Sequence, residues 1–494
     1  MKLVYNTKRT FTRQVIITCI FLFLSVASLS AQERQRQISF EEAYQLMNRD
    51  NKTLKIANKE MEWAKNEQQR LNSFWYPQVM ATGAYTHMVN DIEVKEPLSQ
   101  FTNPTTDFIH SIDPSEQFIS SILNNLGKSS FSVPILPQNM TSIDAIVTMP
   151  VFTGGKRIYA GKIGKLMVDI AEINKEKISA DQQILLVEAY YGLRLGQRIV
   201  EVKVETYNAL EHHYQNALKL EANGMINKAE RLFFQVNRDE TKRELEIAMK
   251  DLEIVKNTFK TLTKIESEDN ILTTTPMFIN ESLPESIYFK NLILEKNHLV
   301  NGLTTQQYIQ KNEVKIAKSA YLPNIELFGK QTLYSNGIPK NIAPRTMVGV
   351  GFSWNIFDGL DREKRIKQAK IKSVILETEK EKIVDDITLT VDKFYNQTQS
   401  ALVNVSALKT TMEMSMELVR SRQRAFIEGM TSSSEVIDAE LILSKVRIAT
   451  LMAYYQFDSG LINLLAACGI PETFHKYSLS GKDESYILGF KIKH

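Results

Sequence analysis

At 494 residues the chain could hold two or three globular domains, and 24% charged with 9% aromatic residues excludes bulk disorder. The formal net charge is +3, but Lys2, Lys8, Arg9 and Arg13 all lie in the first 31 residues, which carry no acid. Without that segment the chain is near −1, and a nucleic-acid partner loses its electrostatic motive.

Residues 1–31 read as a secretory signal peptide: basic residues, an apolar core from Val15 to Phe23, then Ala27 to Ala31 ahead of Gln32. The core is short for a membrane anchor, which needs roughly 20 apolar residues. No later segment reaches 18 consecutive apolar residues, so any membrane crossing falls to strands. Cys19 leaves with the signal and Cys468 is alone, so no intrachain disulfide supports the fold.

A first repeat is expected over 32–284. It opens with a helix from about Gln37 to Ser73, ended by Phe74-Trp75-Tyr76-Pro77. A strand at 78–87, a long polar loop at 88–142 with five prolines and a second strand at 143–152 follow. After the turn Thr153-Gly154-Gly155-Lys156 comes a helical hairpin over 157–263, bent at Asn223-Gly224, and a broken linker over 264–284.

A second repeat, 285–467, has the same order. A helix from about Ser286 to Ser319 ends at Ala320-Tyr321-Leu322-Pro323. Strands at 324–334 and 346–357 precede a hairpin over 360–467, bent at Glu428-Gly429. Residues 468–494 form a C-terminal tail. Phe152 to Phe357 and Gly224 to Gly429 are both 205 residues, while Pro77 to Pro323 is 246. The extra 41 residues lie in the first loop, where a free surface tolerates them; the hairpin length is held constant.

Leu360 to Glu428 contains neither Pro nor Gly, and as one helix it would be roughly 100 Å long. Ile387, Val391, Phe394, Ala401, Val405, Leu408, Met412 and Val419 recur every four and three residues, with Thr398 and Ser415 at the missing beats. That is a coiled-coil period of about 3.5. Tyr395, Leu402 and Met416 form a second stripe beside it. Two adjacent seams let one helix touch two neighbours, as a closed ring of helices requires.

Val348, Val350, Phe352, Trp354 and Ile356 alternate with Gly349, Gly351, Ser353 and Asn355. About ten residues, apolar on one face and polar or small on the other, is the pattern of a transmembrane β-barrel strand. Four strands per chain cannot close a barrel, since the smallest have about eight. Three copies related by cyclic symmetry would give twelve strands and a lumen. The expected fold class is an α+β membrane protein: a homotrimeric 12-stranded β-barrel continued by a long periplasmic α-helical barrel, with internal duplication.

Three segments carry a family resemblance: Ser319-Ala-Tyr-Leu-Pro-Asn324, Ser353-Trp-Asn-Ile-Phe-Asp-Gly-Leu-Asp-Arg362, and Phe426-Ile-Glu-Gly-Met-Thr-Ser-Ser-Ser-Glu-Val-Ile-Asp438. With the duplication, they make the chain similar to the outer membrane factors of the TolC-like type over nearly all of the mature sequence. The resemblance implies a homotrimer in the bacterial outer membrane that extends into the periplasm. Its implied partners are a periplasmic adaptor protein, an inner-membrane pump and outer-membrane lipid. It implies no enzyme, cofactor or metal. The far end of the duct would be the tip turns, Asn223, Gly224, Gly429 and Met430, which also meet the adaptor. The periplasmic aperture, or gate, falls on Glu435 and Asp438, with Phe426 before the tip and Glu230 as the first-repeat counterpart of Glu435. Where the family often has a basic residue two after the tip glycine, this chain has Thr431.

The repeat adds one feature. Arg157, Lys162 and Lys165 correspond to Arg362, Lys367 and Lys370. Cations at helix starts oppose the helix dipole, so a basic collar at the inner lipid surface is expected. No zinc, Walker or dinucleotide motif is complete, and adjacent His212 and His213 point to different faces of one helix. The main alternative to a duct is a periplasmic coiled-coil scaffold without a pore.

Overall fold

A computed structural model describes residues 35–87, 89, 122, 139–265, 270–336 and 344–485. The expected signal peptide and most of the 88–142 loop lie outside these residues.

In chain order, strand β1 is Gln35–Ile38, followed by helices α1 (Phe40–Asp50) and α2 (Lys52–Asn72). Strands β2 (Gln78–His87) and β3 (Asn139–Thr153) precede the hairpin of α3 (Lys156–Ala222) and α4 (Lys228–Thr263). Short strands β4 (Asn270–Thr273) and β5 (Phe278–Ile279) lead to α5 (Ser286–Lys296) and α6 (His298–Ser319). Then come β6 (Asn324–Asn336), β7 (Thr346–Ser353), α7 (Asp361–Ile427) and α8 (Ser433–Ala467). Helix α9 (Phe474–Leu479) and strand β8 (Lys482–Asp483) close the described chain.

The helix expected from Gln37 to Ser73 is a strand and two helices. Ser39 caps α1 by accepting from the Glu42 amide at 3.1 Å. Asn51 then takes an extended backbone, with φ −66° and ψ 114°. Its side-chain oxygen accepts from the amides of Thr53 (2.8 Å) and Leu54 (3.2 Å), so it ends one helix and caps the next. Asn297 does the same for α5 and α6, accepting from Leu299 (2.9 Å) and Val300 (3.2 Å). The two asparagines are 246 residues apart, the spacing of the strand-initiating prolines.

The chain divides into two compact units, and each draws on both repeats. The first contains Met1–Lys59, Ile173–Asn301 and Glu381–His494. Its core centres on Tyr190 and Tyr191 of α3, Phe457 of α8, Phe278 of β5 and Phe474 of α9, all buried. Parallel β1 and β4 pair over it, and β5 pairs antiparallel with β8. Residues 468–485 are therefore built into this unit rather than trailing from it. The heptad stripe of α7 is buried from Ile387 to Val419, including Thr398 and Ser415, with Phe394 and Leu408 partly buried against it. In the second stripe Tyr395 and Leu402 are partly buried, while Met416 is exposed.

The second unit contains Glu60–Glu172 and Gly302–Lys380. Its sheet has the order β2-β3-β6-β7, every pair antiparallel. The strand expected at 143–152 starts earlier, because His87 pairs with Asn139. The strand expected at 346–357 stops at Ser353, which pairs with Asn324. Pro323 comes next on the partner strand and has no amide to continue the ladder.

Register sorts the side chains into two faces. Val79, Val147, Gly329 and Val348 form one row across the four strands, and Met149, Leu327 and Val350 form the next. Val79 is 74% and Val348 84% exposed, and Met149, Leu327 and Val350 are also exposed. On the opposite face Thr82, Asp144 and Thr332 share a row. Asp144 is buried there, 2.9 Å from Lys330 Nζ and accepting from Thr332 Oγ1 at 2.6 Å. The apolar face is bare and the polar face is covered, the reverse of a soluble sheet.

Candidate functional site

The two hairpin tips are built alike. Gly224 (φ +70°) and Gly429 (φ +71°) take the left-handed conformation that follows a helix C-terminus. The Gly224 amide donates to Glu221 O and the Met225 amide to Leu220 O, both at 2.9 Å. Gly429 donates to Phe426 O at 3.0 Å and Met430 to Ala425 O at 2.8 Å. No atom lies within 4 Å of where a Cβ would stand on either glycine, so backbone conformation alone selects them. Asn223 and Met430 are exposed beside them. At the next helix start the turns differ: Asn227 accepts from the Glu230 amide at 2.9 Å, whereas the equivalent Ser432 makes no capping bond.

Behind the turns the hairpins share a small core of Leu210, Ala217, Phe234 and Ile437, with Phe426 packed against it. The Phe426 and Phe234 rings meet edge-on at 6.5 Å. A groove of about 850 Å³ lies between the tips, lined by His212, Leu220, Met225, Ile427, Thr431 and Ser432 among others. Glu435 is ion-paired with Arg422 of the preceding helix. Asp438 is exposed, with no ion pair among the described residues, and Glu230 is exposed. The Gln215 amide, with Arg238 beside it, holds the nearby Glu211 carboxyl below its ordinary range.

Sequence reasoning missed the residues that tie the hairpins together. Gln423 donates to Glu440 Oε1 at 2.7 Å, and His213 Nε2 lies 4.0 Å from the same oxygen. Arg447 donates to Glu205 at 2.6 Å, joining α8 to α3. Opposite charges on different helices leave no periodic signal; only the fold brings them together.

At the strand-to-helix junctions the expected basic residues separate by type. Arg157 and Arg362 turn inward and are buried. Arg157 donates to Pro150 O and lies over the Trp75 ring at 4.0 Å. Arg362 donates to Asn355 O (2.9 Å) and Ile356 O (3.0 Å), and lies over the Tyr321 ring at 4.5 Å. Both clasp the chain where it leaves the sheet, so they are removed from an outward collar. Lys162, Lys165, Lys367 and Lys370 are exposed.

Residues 291–470 match the family model described as Outer membrane efflux protein. Over this stretch, from within α5 to just past α8, the chain is similar to that family. Its fold is that of solved outer-membrane channels. The structure of CusC, titled for conformational changes accompanying folding and transmembrane channel formation, is 14% identical with a TM-score of 0.68, over 87% of this chain and 92% of that one. VceC, the outer membrane protein of Vibrio cholerae, is 11% identical with a TM-score of 0.66, over 87% and 96%. The open-state MtrE channel of Neisseria gonorrhoeae is 13% identical with a TM-score of 0.66, over 87% and 89%. No curated protein matches the chain.

Thr431, standing where the family often has a basic residue, is half-buried and its hydroxyl has no hydrogen-bond partner. The cation beside Glu435 comes instead from Arg422, seven residues before Gly429. Among the described residues no helix is long and apolar enough to cross a membrane.

Proposed function

We propose that three copies of this chain close into a twelve-stranded barrel in the outer membrane, continued into the periplasm by a barrel of their helical hairpins. The assembly is the exit duct of a tripartite efflux or secretion system, and it catalyses no reaction. Energy comes from an inner-membrane pump joined through a periplasmic adaptor.

One observation carries this reading: the sheet is inside out. Rows of Val, Met and Leu stand bare on one face, and the Asp144–Lys330 pair is covered on the other. Apolar surface left in water forgoes about 25 cal/mol per Å², whereas in a bilayer the same face is matched to its solvent. Strands β2 and β7 end the sheet, each with one unpaired edge. Open edges are not tolerated in hydrocarbon, so β7 of one copy pairs with β2 of the next and the ring closes by rotation. A scaffold without a pore has no use for such a sheet.

The gate lies at the tips, where Asp438 supplies the uncompensated charge and Glu435 is held by Arg422. A ring of carboxylates admits cations selectively. The test is an outer-membrane fraction run unheated on a denaturing gel, then purified protein in a planar bilayer. A trimer band that collapses on boiling, with stepwise conductance, is expected. A chain found only as a soluble monomer would refute the duct.

A further inference from the structure

We propose that Lys162, Lys165, Lys367 and Lys370 form a docking surface for the phosphate headgroups of anionic phospholipids in the leaflet nearest the helices. This rests on the barrel reading above.

The two lysine pairs occupy equivalent places. Helix α3 starts three residues after β3 ends, and α7 starts eight after β7. In each helix the lysines stand six and nine residues past the first, roughly 9 and 14 Å along the axis. Helical Cα–Cβ bonds tilt toward the N-terminus, so the ammonium groups reach back toward the sheet, and their aliphatic stems can lie along apolar surface. Trp75, Tyr76 and Trp354 are exposed at the same end of the sheet, where aromatic side chains mark a membrane–water boundary.

Charge is uncompensated at these four positions. None has a carboxylate within ion-pair distance among the described residues. The acids close by are already engaged: Asp358 lies 3.2 Å from Arg362, Asp361 lies 2.6 Å from Arg365, and Glu363 accepts from Tyr321 at 2.7 Å. The sequence has no acidic residue between Gly154 and Val168 or between Lys364 and Leu376. No ion pair within the described fold accounts for this bias, and the helix dipole, which acts within the first turn, does not favour cations here either. An anionic lipid surface does, with about a fivefold preference per lysine close to it.

The test uses full-length protein reconstituted into vesicles of phosphatidylcholine alone, or of phosphatidylethanolamine and phosphatidylglycerol in equal parts. Phospholipid retained after re-extraction is identified by native mass spectrometry. Wild type is expected to retain phosphatidylglycerol several-fold above its bulk share, falling as salt rises. Replacing all four lysines with Gln should abolish the enrichment, and replacing them with Arg should keep it. Equal enrichment in wild type and the Gln variant, or none in wild type, overturns the lipid surface. Both outcomes leave the barrel intact if the protein still floats with either vesicle. Wild type that floats with neither overturns the membrane reading itself.

Discussion

Removing the Glu484 side chain should loosen the whole sheet-bearing edge of the first unit. Glu484 is 1% exposed. Its Oε1 lies 2.8 Å from Arg194 Nη2 and 2.8 Å from Arg198 Nε, and its Oε2 accepts from the Met277 amide at 3.1 Å. Glu484→Ala leaves the buried Arg194 guanidinium holding Thr273 O without its counter-charge. Breaking one side of a buried ion pair costs about 3–5 kcal/mol. At about 1.36 kcal/mol per factor of ten, local opening should become easier by about two to four powers of ten. Native-state amide exchange at Ile271, Thr273, Phe278 and Ile279 reads this directly. Glu484→Gln keeps the shape and loses the charge, so its cost should be smaller, about 1.5–3 kcal/mol. Exchange rates at these amides changing less than threefold in Glu484→Ala would refute a structural role for residues 468–485.

Gly460→Ala would place a Cβ 2.7 Å from Thr398 Oγ1, where α8 packs against α7. It should cost about 1–3 kcal/mol, read as a lower urea midpoint, and adding Thr398→Ala should recover part of it. Asp458 is fully buried, and burial, opposed only in part by the Phe278 backbone and reinforced by Glu484, drives its carboxyl well above the ordinary 3.8. The folded chain thus keeps a proton that the unfolded chain releases. Stability from this site is complete below pH 3.8 and declines as pH rises toward the folded value. Asp458→Asn should therefore match wild type in acid and exceed it at pH 8 in thermal unfolding. Asp438→Asn should weaken divalent-cation block of single-channel current more than Glu435→Gln does, because Arg422 already offsets Glu435. Equal effects would count against that assignment.

Much of the fold could be read before any coordinates, because it is written in spacing. The heptad stripe of α7, with Thr398 and Ser415 at its polar beats, is buried along its length. The alternation through Val348, Val350 and Phe352 is the exposed face of β7. What escaped reading depends on single side chains or on distant segments. Asn51 and Asn297 break helices through one carboxamide oxygen each, though their 246-residue spacing was there to be found. The residues after 467 look like a tail because their partners, Arg194 and Met277, lie far away in sequence. Arg157 and Arg362 carry the same charge as the neighbouring lysines, and only the backbone carbonyls and aromatic rings around them show that they face inward.

The two unpaired sheet edges have a genetic consequence. A variant able to pair through β2 but not through β7, for instance with proline among its outward-facing amides, would enter an assembly and stop it closing. Expressed at parity with wild type, it would leave only about one in eight of the proposed three-membered rings free of the poisoned subunit. Such an allele would be dominant, and its phenotype would track the dose of the variant rather than the loss of the normal copy.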